Sequence, residues 1–218
     1  MKRRSTLARY ATTEIGALLA LMFTSNRAIG RSDDAALHRW RQADPPTRAF
    51  ALRLARRAFD SYASRRDVIE VPRTLPSLLR QRAGVFVSTM RHGAPRCCMG
   101  TIYPMEADAA HEIIANAVAA AGRDRRFPPI KAAELPQLTL IVSILGKPRT
   151  ISIADLASVD PARDGLIVRQ GGRTGVVLPG ETSSTDAMLA WGRKRAGLDP
   201  QAAVELFQVD AVRWVEAR

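Results

Sequence analysis

The chain has 218 residues, 46% of them hydrophobic and 25% charged, which is ordinary for a globular protein with one substantial core, with or without an N-terminal appendage. Its formal net charge of +12 favours anionic partners such as nucleic acid or phosphorylated ligands, although solvated basic faces would give the same total. Two adjacent cysteines cannot form a disulfide framework, three scattered histidines do not indicate a metal centre, and the longest apolar run, of nine residues, is too short to span a bilayer.

The first 45 residues lack the pattern of a packed core and are predicted to be an N-terminal extension. Residues 1–30 have a basic start, the short apolar run and a polar end, which is the three-part shape of an export signal. An amphipathic helix would explain the same pattern, and Glu14 beside the apolar run argues against export. Residues 31–43 are polar and indicate a linker or a short helix. We therefore expect a cytoplasmic protein, with export through residues 1–30 as the alternative, and we expect residues 1–43 to be dispensable for folding.

The first clear helix is predicted over residues 47–63. Asp44 or Thr47 can act as its N-cap, and the two prolines between them lie where no backbone donor is needed. From Ala51 to Tyr62 the apolar residues recur at helical spacing on one arc, and the charged residues fall on the other. This pattern is typical of a helix that packs on a core and turns a basic face to solvent.

The rest of the chain is predicted to mix helices, strands and hairpins without a repeating order. One turn at Gly93 and another at Gly171-Gly172 each lie between apolar strand-like runs, which is the signal of a β-hairpin. The predicted elements are a helical turn over 77–81, a hairpin over 84–102, helices over 106–121 and 183–196, and strands over 138–145, 165–168, 175–178 and 204–215. This order indicates a hairpin-rich α+β fold, with flanking helices on a largely antiparallel sheet and the 84–102 hairpin at its centre.

The second strand of the 84–102 hairpin carries both cysteines and an arginine. In a regular strand Arg96 and Cys98 share one face, while Cys97 points to the other. A guanidinium near the Cys98 thiol would lower its pKa, which makes Cys98 a candidate nucleophile, one-point ligand or redox thiol. The alternative is that Cys98 is a small core hydrophobe, the commonest role of a free cysteine. No histidine has a position suited to a general base for a Cys-His dyad.

Several short motifs, in one order along the chain, resemble the AMMECR-type domain family, whose signature reads Leu-Arg-Gly-Cys-Ile-Gly. The motifs are Gly84-Val85-Phe86-Val87, Arg96-Cys98-Gly100, Asp124-Arg126-Phe127-Pro128, Val142-Ser143 and Ala196-Gly197-Leu198. The resemblance extends from about residue 48 to the C-terminus and implies a two-lobed α+β domain over residues 46–218. The chain departs from the signature at Pro95, Cys97 and Met99. Cys97 stands where the family has glycine, so it would obstruct any approach to the backbone at that point.

The resemblance implies little about the reaction, because the biochemical role of the family is unsettled. It implies association with radical-SAM and Memo-like proteins, and it assigns no cofactor. The candidate site residues are Arg96, Cys98, Asp124, Arg126 and Ser143, although Asp124 and Arg126 are also expected to form a loop-fixing ion pair.

Three hypotheses follow for the function of the chain. The first is an enzyme or enzyme partner with a cleft around the Arg96/Cys98 strand, and the second is a non-catalytic binding module for an anionic ligand, either a phosphorylated small molecule or nucleic acid. The third is a structural scaffold whose signature serves folding. Nucleic-acid binding is expected to be weak and non-specific at most, because aromatic residues are only 6% of the chain and a stacking platform is missing from the sequence.

Overall fold

A computed structural model describes residues 35–217 of the chain, so the predictions for residues 1–30 lie outside the described residues. Within this range four α-helices and seven strands follow one another. The helices are α1 (Ala35–Arg41), α2 (Pro45–Arg65), α3 (Ala109–Gly122) and α4 (Thr185–Arg195). The strands are β1 (Gly84–Arg91), β2 (Ala94–Gly100), β3 (Leu138–Leu145), β4 (Arg149–Ile151), β5 (Asp164–Gln170), β6 (Arg173–Val177) and β7 (Glu205–Val215). Short 3₁₀ segments lie at Ser77–Arg80, Ala132–Gln137 and Ala154–Ser158.

All the strands belong to one curled antiparallel sheet with the order β2-β1-β3-β7-β5-β6, and the short β4 pairs with β7 on the edge opposite β5, the same edge that β3 uses. This arrangement confirms the α+β prediction and both predicted hairpins, β1–β2 and β5–β6. The position of the first hairpin differs from the prediction. Strand β1 is paired on both sides, but β2 is an edge strand, so the hairpin lies at one end of the sheet and not at its centre.

Helix α2 forms as its sequence predicts. The Asp44 side chain accepts a hydrogen bond of 2.6 Å from the Thr47 backbone N–H and caps the first turn, next to the two prolines. The apolar arc of α2 packs against α3 and the sheet, with Leu54 and Phe59 fully buried. Gly122, the last residue of α3, permits this close approach, because a Cβ atom there would lie 2.3 Å from a ring carbon of Tyr62.

Helix α1 is the short helix that the sequence left as an alternative to a linker. Leu37 and Trp40 are buried in the main core, and the Trp40 ring lies 5.9 Å from that of Trp214, centroid to centroid. Arg41 forms a 3.0 Å ion pair with Asp210 of β7. Because α1 contributes two buried side chains, its packing argues against the expectation that residues 1–43 are dispensable. The sequence does not reveal this packing, because a helix of seven residues is too short to show a clear periodicity of apolar residues.

Two hydrophobic clusters correspond to the two expected lobes of the domain. The larger one lies between helices α1–α3 and strands β1–β3, and the smaller one lies between α4 and strands β5 and β6. A third cluster fills the inner face of the curled sheet around Phe86 and Leu178. Cys98 of β2 and Val176 of β6 pack against the same inner cluster, so the curl brings residues of the two edge strands together.

The described helices also bear on membrane association. Across residues 35–217, the helices are all too short or too polar to cross a bilayer.

Candidate functional site

Strand β2 lacks the regular alternation that its sequence predicts. Thr89 of β1 pairs with Cys97, and Met90 pairs with Pro95, so Arg96 is an extra residue in β2. Such a β-bulge interrupts the period of two and redirects the side chain of the added residue. Regular alternation, which predicts the Arg96 guanidinium beside the Cys98 sulfur, therefore does not apply at this bulge.

Arg96 reaches instead toward the chain that follows α3. Its Nε and Nη2 atoms donate to the two carboxylate oxygens of Glu134 at 2.8 and 3.1 Å, and Nη2 also donates to the backbone carbonyls of Pro128 and Pro129. The hydrogen bond from Arg96 lowers the pKa of Glu134 to about 2. The third guanidinium nitrogen, Nη1, is buried and has no hydrogen-bond partner among residues 35–217. Arg96 thus ties the bulge to the loop between α3 and β3.

Asp124 and Arg126 bind the backbone of the edge strand at Cys98. The Cys98 N–H donates to Asp124 Oδ2 at 2.9 Å, and Arg126 Nη2 donates to the Cys98 carbonyl at 2.6 Å. The two side chains also form the predicted ion pair, with distances of 2.8 Å from Arg126 Nε to Asp124 Oδ1 and 2.7 Å from Nη2 to Oδ2. This pair takes the place that a neighbouring strand would have beside β2, and it satisfies both backbone groups of one residue.

The electrostatics of Asp124 follow from these contacts. Burial alone would raise the pKa of its carboxyl, but the hydrogen bonds from the Arg126 side chain and from the Cys98 N–H outweigh burial and hold the pKa below its ordinary value. The hydrogen bond with Asp124 in turn raises the pKa of Arg126 above its ordinary value. Both groups are therefore charged at neutral pH, and their charges cancel locally.

The two cysteines are free thiols in different surroundings. Cys97 lies in the main core, where its Sγ is 3.1 Å from Thr89 Oγ1 and burial raises the pKa of its thiol to about 12. On the inner face, Ser88 Oγ donates to Cys98 Sγ at 3.0 Å. Burial raises the pKa of Cys98 too, and the nearby carboxylate of Glu181 adds to the rise. Both thiols are thus protonated at neutral pH, and the expected activation of Cys98 by Arg96 has no support in this geometry.

Two arginines near Cys98 lower the pKa of its thiol, but they do not cancel the rise that burial and Glu181 cause. Arg126 and Arg195 each lower the pKa of the Cys98 thiol, but less than burial and Glu181 raise it. Arg195 is itself paired with Glu181 at 2.5 Å, so its charge is largely compensated. The positive charge around Cys98 is therefore smaller than the number of arginines suggests.

Ser143 lies apart from the other candidate residues. It sits in the middle of β3, opposite Phe86 on one side and Arg213 on the other, whereas Cys98 pairs with Ser88 further along β1. The Ser143 side chain is completely buried, and its hydroxyl has no partner within the described part of the chain. The structure therefore joins three of the five candidates, Cys98, Asp124 and Arg126, by hydrogen bonds. Arg96 lies near them but is bonded to Glu134, and Ser143 is separate.

A cavity of about 550 Å³ opens at the C-terminal end of α3. Its lining residues come from β2, from the last turn of α3 and from the loop that follows: Arg96, Cys97, Ala120, Ala121, Gly122, Arg123, Asp124, Arg125, Phe127, Pro128 and Pro129. Cys98 does not belong to this lining. The chain's departure from the family glycine thus places the Cys97 side chain in the wall of the cavity.

The charged residues of the cavity differ in how they are compensated. Arg96 is paired with Glu134, and Asp124 is paired with Arg126. Arg123 and Arg125 are exposed and form no ion pair within residues 35–217. The cavity therefore carries two positive charges that have no carboxylate partner in the described part of the chain. Residues 35–217 contain no group of three or more His, Cys, Asp and Glu side chains that could bind a metal ion.

Comparison with known proteins relates these features to a family. The AMMECR1 family profile matches residues 52–214. The chain belongs to the AMMECR1 family. A protein of Thermotoga maritima is 38% identical over 168 residues, which cover 75% of this chain and 95% of that protein. Protein TK0174 of Thermococcus kodakarensis is 37% identical over 141 residues, which cover 60% of this chain and 67% of the relative.

A solved structure is similar to the AMMECR1 domain of this chain. The crystal structure of the uncharacterized protein PH0010 from Pyrococcus horikoshii aligns with a TM-score of 0.67 at 31% identity, covering 75% of this chain and 88% of that one. The family and the α+β architecture expected from the motifs are thereby confirmed.

The AMMECR1 signature has a structural explanation in these contacts. The last glycine of the signature, Gly100, lies opposite Phe86, and a Cβ atom at Gly100 would fall 2.2 Å from a ring carbon of Phe86. The Asp-Arg loop holds the backbone of the signature cysteine, Cys98, although Asp124 lies 26 residues after Cys98 in the chain. The sequence did not reveal that Glu134 neutralises Arg96, or that Arg123 and Arg125 have no carboxylate partner within residues 35–217. The only available signal was the cluster of four charges in the loop.

Proposed function

We propose that this AMMECR1 domain is a binding module for a small anionic ligand, which it holds in the cavity at the end of α3 without covalent chemistry. The observation that carries the proposal is the pair Arg123 and Arg125, which line a cavity of about 550 Å³ and have no carboxylate partner within residues 35–217. Small-molecule sites commonly have volumes of about 300–1,000 Å³, so the cavity has a suitable size.

The charge of the cavity supports an anion even after its negative groups are counted. The Asp124 carboxylate is only 3% exposed and is bound by Arg126, so little of its charge reaches a ligand. The carbonyl groups at the C-terminal end of α3 contribute roughly half a negative charge. Two uncompensated guanidinium groups exceed that contribution, and arginine binds carboxylates and phosphates through paired hydrogen bonds.

The alternative, an enzyme or enzyme partner acting through Cys98, has weaker support. The Cys98 thiol is protonated at neutral pH because its pKa is raised, and Cys98 does not line the cavity. A protonated thiol is a poor nucleophile. Association with Memo-like and radical-SAM proteins, which the family resemblance implies, stays a prediction, and so do cytoplasmic localisation and the domain boundary at residue 45.

The test is a titration of the ¹⁵N-labelled full-length protein followed by backbone amide chemical shifts. Phenyl phosphate and benzoate serve as anionic probes, and benzyl alcohol serves as the neutral probe. We expect both anions, but not the alcohol, to produce saturable shifts at the amides of residues 120–127. The double variant R123Q/R125Q should lose them.

The matched control for this titration is the double variant R39Q/R53Q. Arg39 and Arg53 are exposed, lie on α1 and α2 and do not line the cavity, so their replacement changes the net charge by the same amount. We expect this control to bind both anions as the unmodified protein does. The proposal would be overturned if neither anion produced saturable shifts, or if R123Q/R125Q bound the anions as tightly as the unmodified protein does.

A further inference from the structure

We infer that the ligand of the cavity is a phosphate monoester of a small organic molecule. This inference rests on the proposed function and specifies its ligand. Two properties of the cavity lead to it: the amount of positive charge that is left uncompensated, and a volume that an inorganic anion would not fill.

The charge indicates a dianion. Of the four charged residues that line the cavity, Arg96 is paired with Glu134, and Asp124 is paired with Arg126, which leaves Arg123 and Arg125. A phosphate monoester carries about −1.5 to −2 at pH 7, because its second pKa is about 6. A carboxylate or a phosphodiester carries only one negative charge and would leave one arginine uncompensated. The monoester therefore matches the cavity better than either of these, and better than the diester backbone of a nucleic acid.

The volume and the walls indicate an organic body attached to the phosphate. A cavity of about 550 Å³ is many times larger than the roughly 30 Å³ that a water molecule occupies, so a small inorganic ion would leave most of it to solvent. The lining also includes apolar residues, among them Ala121, Phe127 and Pro128. Apolar surface of this kind binds the hydrocarbon or ring portion of a ligand and excludes water from it.

Phe127 places part of this apolar surface next to the charged residues. The Cζ atom of Arg96 lies 6.0 Å from the centre of its ring, and that of Arg126 lies 5.7 Å away. These contacts place the Phe127 ring, which lines the cavity, against two arginines that are themselves paired with Glu134 and Asp124, so the cavity has apolar and charged groups side by side. A ligand with a phosphate at one end and an apolar group at the other would contact both regions at once.

The experiment compares four probes on the full-length protein by isothermal titration calorimetry at pH 7.5. Phenyl phosphate is the monoester, methyl phenyl phosphate is the diester of the same body, benzoate is the carboxylate, and inorganic phosphate lacks the organic body. We expect phenyl phosphate to bind about tenfold more tightly than each of the other three. At pH 5 the monoester carries one charge, so its preference over the diester should disappear.

Single and double variants then assign the preference to the two arginines. Arg123→Gln and Arg125→Gln should each reduce the preference for phenyl phosphate over methyl phenyl phosphate to less than about threefold, since one charge remains. The control R39Q/R53Q should keep the preference of the unmodified protein. Because all four arginines are exposed, thermal unfolding should be nearly the same for every variant, and circular dichroism checks this.

The possible failures separate the ligand class from the proposed function. If benzoate or the diester binds as tightly as phenyl phosphate, and R123Q/R125Q still abolishes binding, the monoester inference is wrong and the anion-binding function stands. If inorganic phosphate binds as tightly as phenyl phosphate, and R123Q/R125Q still abolishes binding, the organic part of the ligand is excluded and the anion-binding function stands. If none of the probes binds, or if R123Q/R125Q binds them all normally, both the inference and the proposed function are wrong.

Discussion

Replacement of Asp124 by asparagine tests the interpretation that this residue holds the edge strand. The carboxylate is only 3% exposed and accepts four hydrogen bonds, one from the Cys98 N–H and three from the backbone and guanidinium of Arg126. Asparagine has one acceptor oxygen, and its amide N–H groups would face donors. Breaking a fully buried ion pair costs about 3–5 kcal/mol. Since the Arg126 side chain is 39% exposed and can be hydrated, we expect a smaller loss, of about 2 kcal/mol.

Urea unfolding of Asp124→Asn measures this loss, and hydrogen exchange at the Cys98 amide shows where it arises. The matched control is Asp67→Asn, because Asp67 and Arg65 form an ion pair in which both side chains are 66% exposed. The control should change the free energy of unfolding by less than about 0.5 kcal/mol. If Asp124→Asn were no more destabilising than this control, or left exchange at Cys98 unchanged, Asp124 would not hold the edge of the sheet.

The pH dependence provides a second check on Asp124. Its pKa is lower in the folded protein than in the unfolded chain, where a carboxyl of this type has a pKa of about 3.9. The charged form therefore stabilises the folded state above that pH, and this contribution is lost as the pH falls through the lower folded-state pKa. We expect the Asp124→Asn variant to lose less stability than the unmodified protein between neutral pH and pH 3. An unchanged acid dependence would contradict the assignment.

Three further predictions concern the core, the thiols and the bulge. Trp40→Ala should reduce the free energy of unfolding by about 3–5 kcal/mol, because the ring is buried; a loss below about 1 kcal/mol would show that α1 is not part of the core. At pH 7, iodoacetamide should modify the buried Cys97 only as fast as the protein unfolds, and the half-buried, protonated Cys98 more slowly than an unfolded thiol. Stability should fall above about pH 8.5, where the unfolded thiols ionise but the folded ones stay protonated; rapid modification of both thiols in the folded protein would contradict the raised pKa values. Glu134→Gln should cost about 2–3 kcal/mol in urea unfolding, because Arg96 is only 12% exposed and would lose its counter-charge; an unchanged midpoint would show that the ion pair is unimportant.

Several elements could be predicted because their information is local. The strand predicted over 138–145 is β3 with the same bounds, since eight consecutive residues are apolar or β-branched apart from Ser143. The Gly171-Gly172 turn forms the β5–β6 hairpin as expected. Ser184 caps α4, and Gly197, at a φ of 65°, follows its end. Other bounds moved for a local reason too: α3 begins at Ala109 and not at 106, because Asp108 caps it.

Elements without a strong local pattern could not be predicted in the same way. Strand β4 has three residues and exists because it pairs with β7, more than fifty positions later in the chain. The bulge at Arg96 depends on how β2 pairs with β1, and a pattern of alternating residues contains no information about an added one. Alternation in the sequence therefore predicted the existence of β2 correctly and the neighbours of Arg96 wrongly.

The sequence by itself determined the family, the α+β class, the two hairpins and most of the helices and strands, because hydrophobic periodicity and capping residues act over a few positions. Only the tertiary structure decided which candidate residues meet. Arg96 finds its carboxylate 38 residues away, and Cys98 is held by a loop 26 residues further along the chain. Whether a thiol is ionised or a guanidinium is compensated depends on the burial and the charges that distant segments bring to it. For this reason the fold could be inferred from the order of the residues, whereas the cavity, and the two arginines in it that have no carboxylate partner among residues 35–217, could be identified only from the tertiary structure.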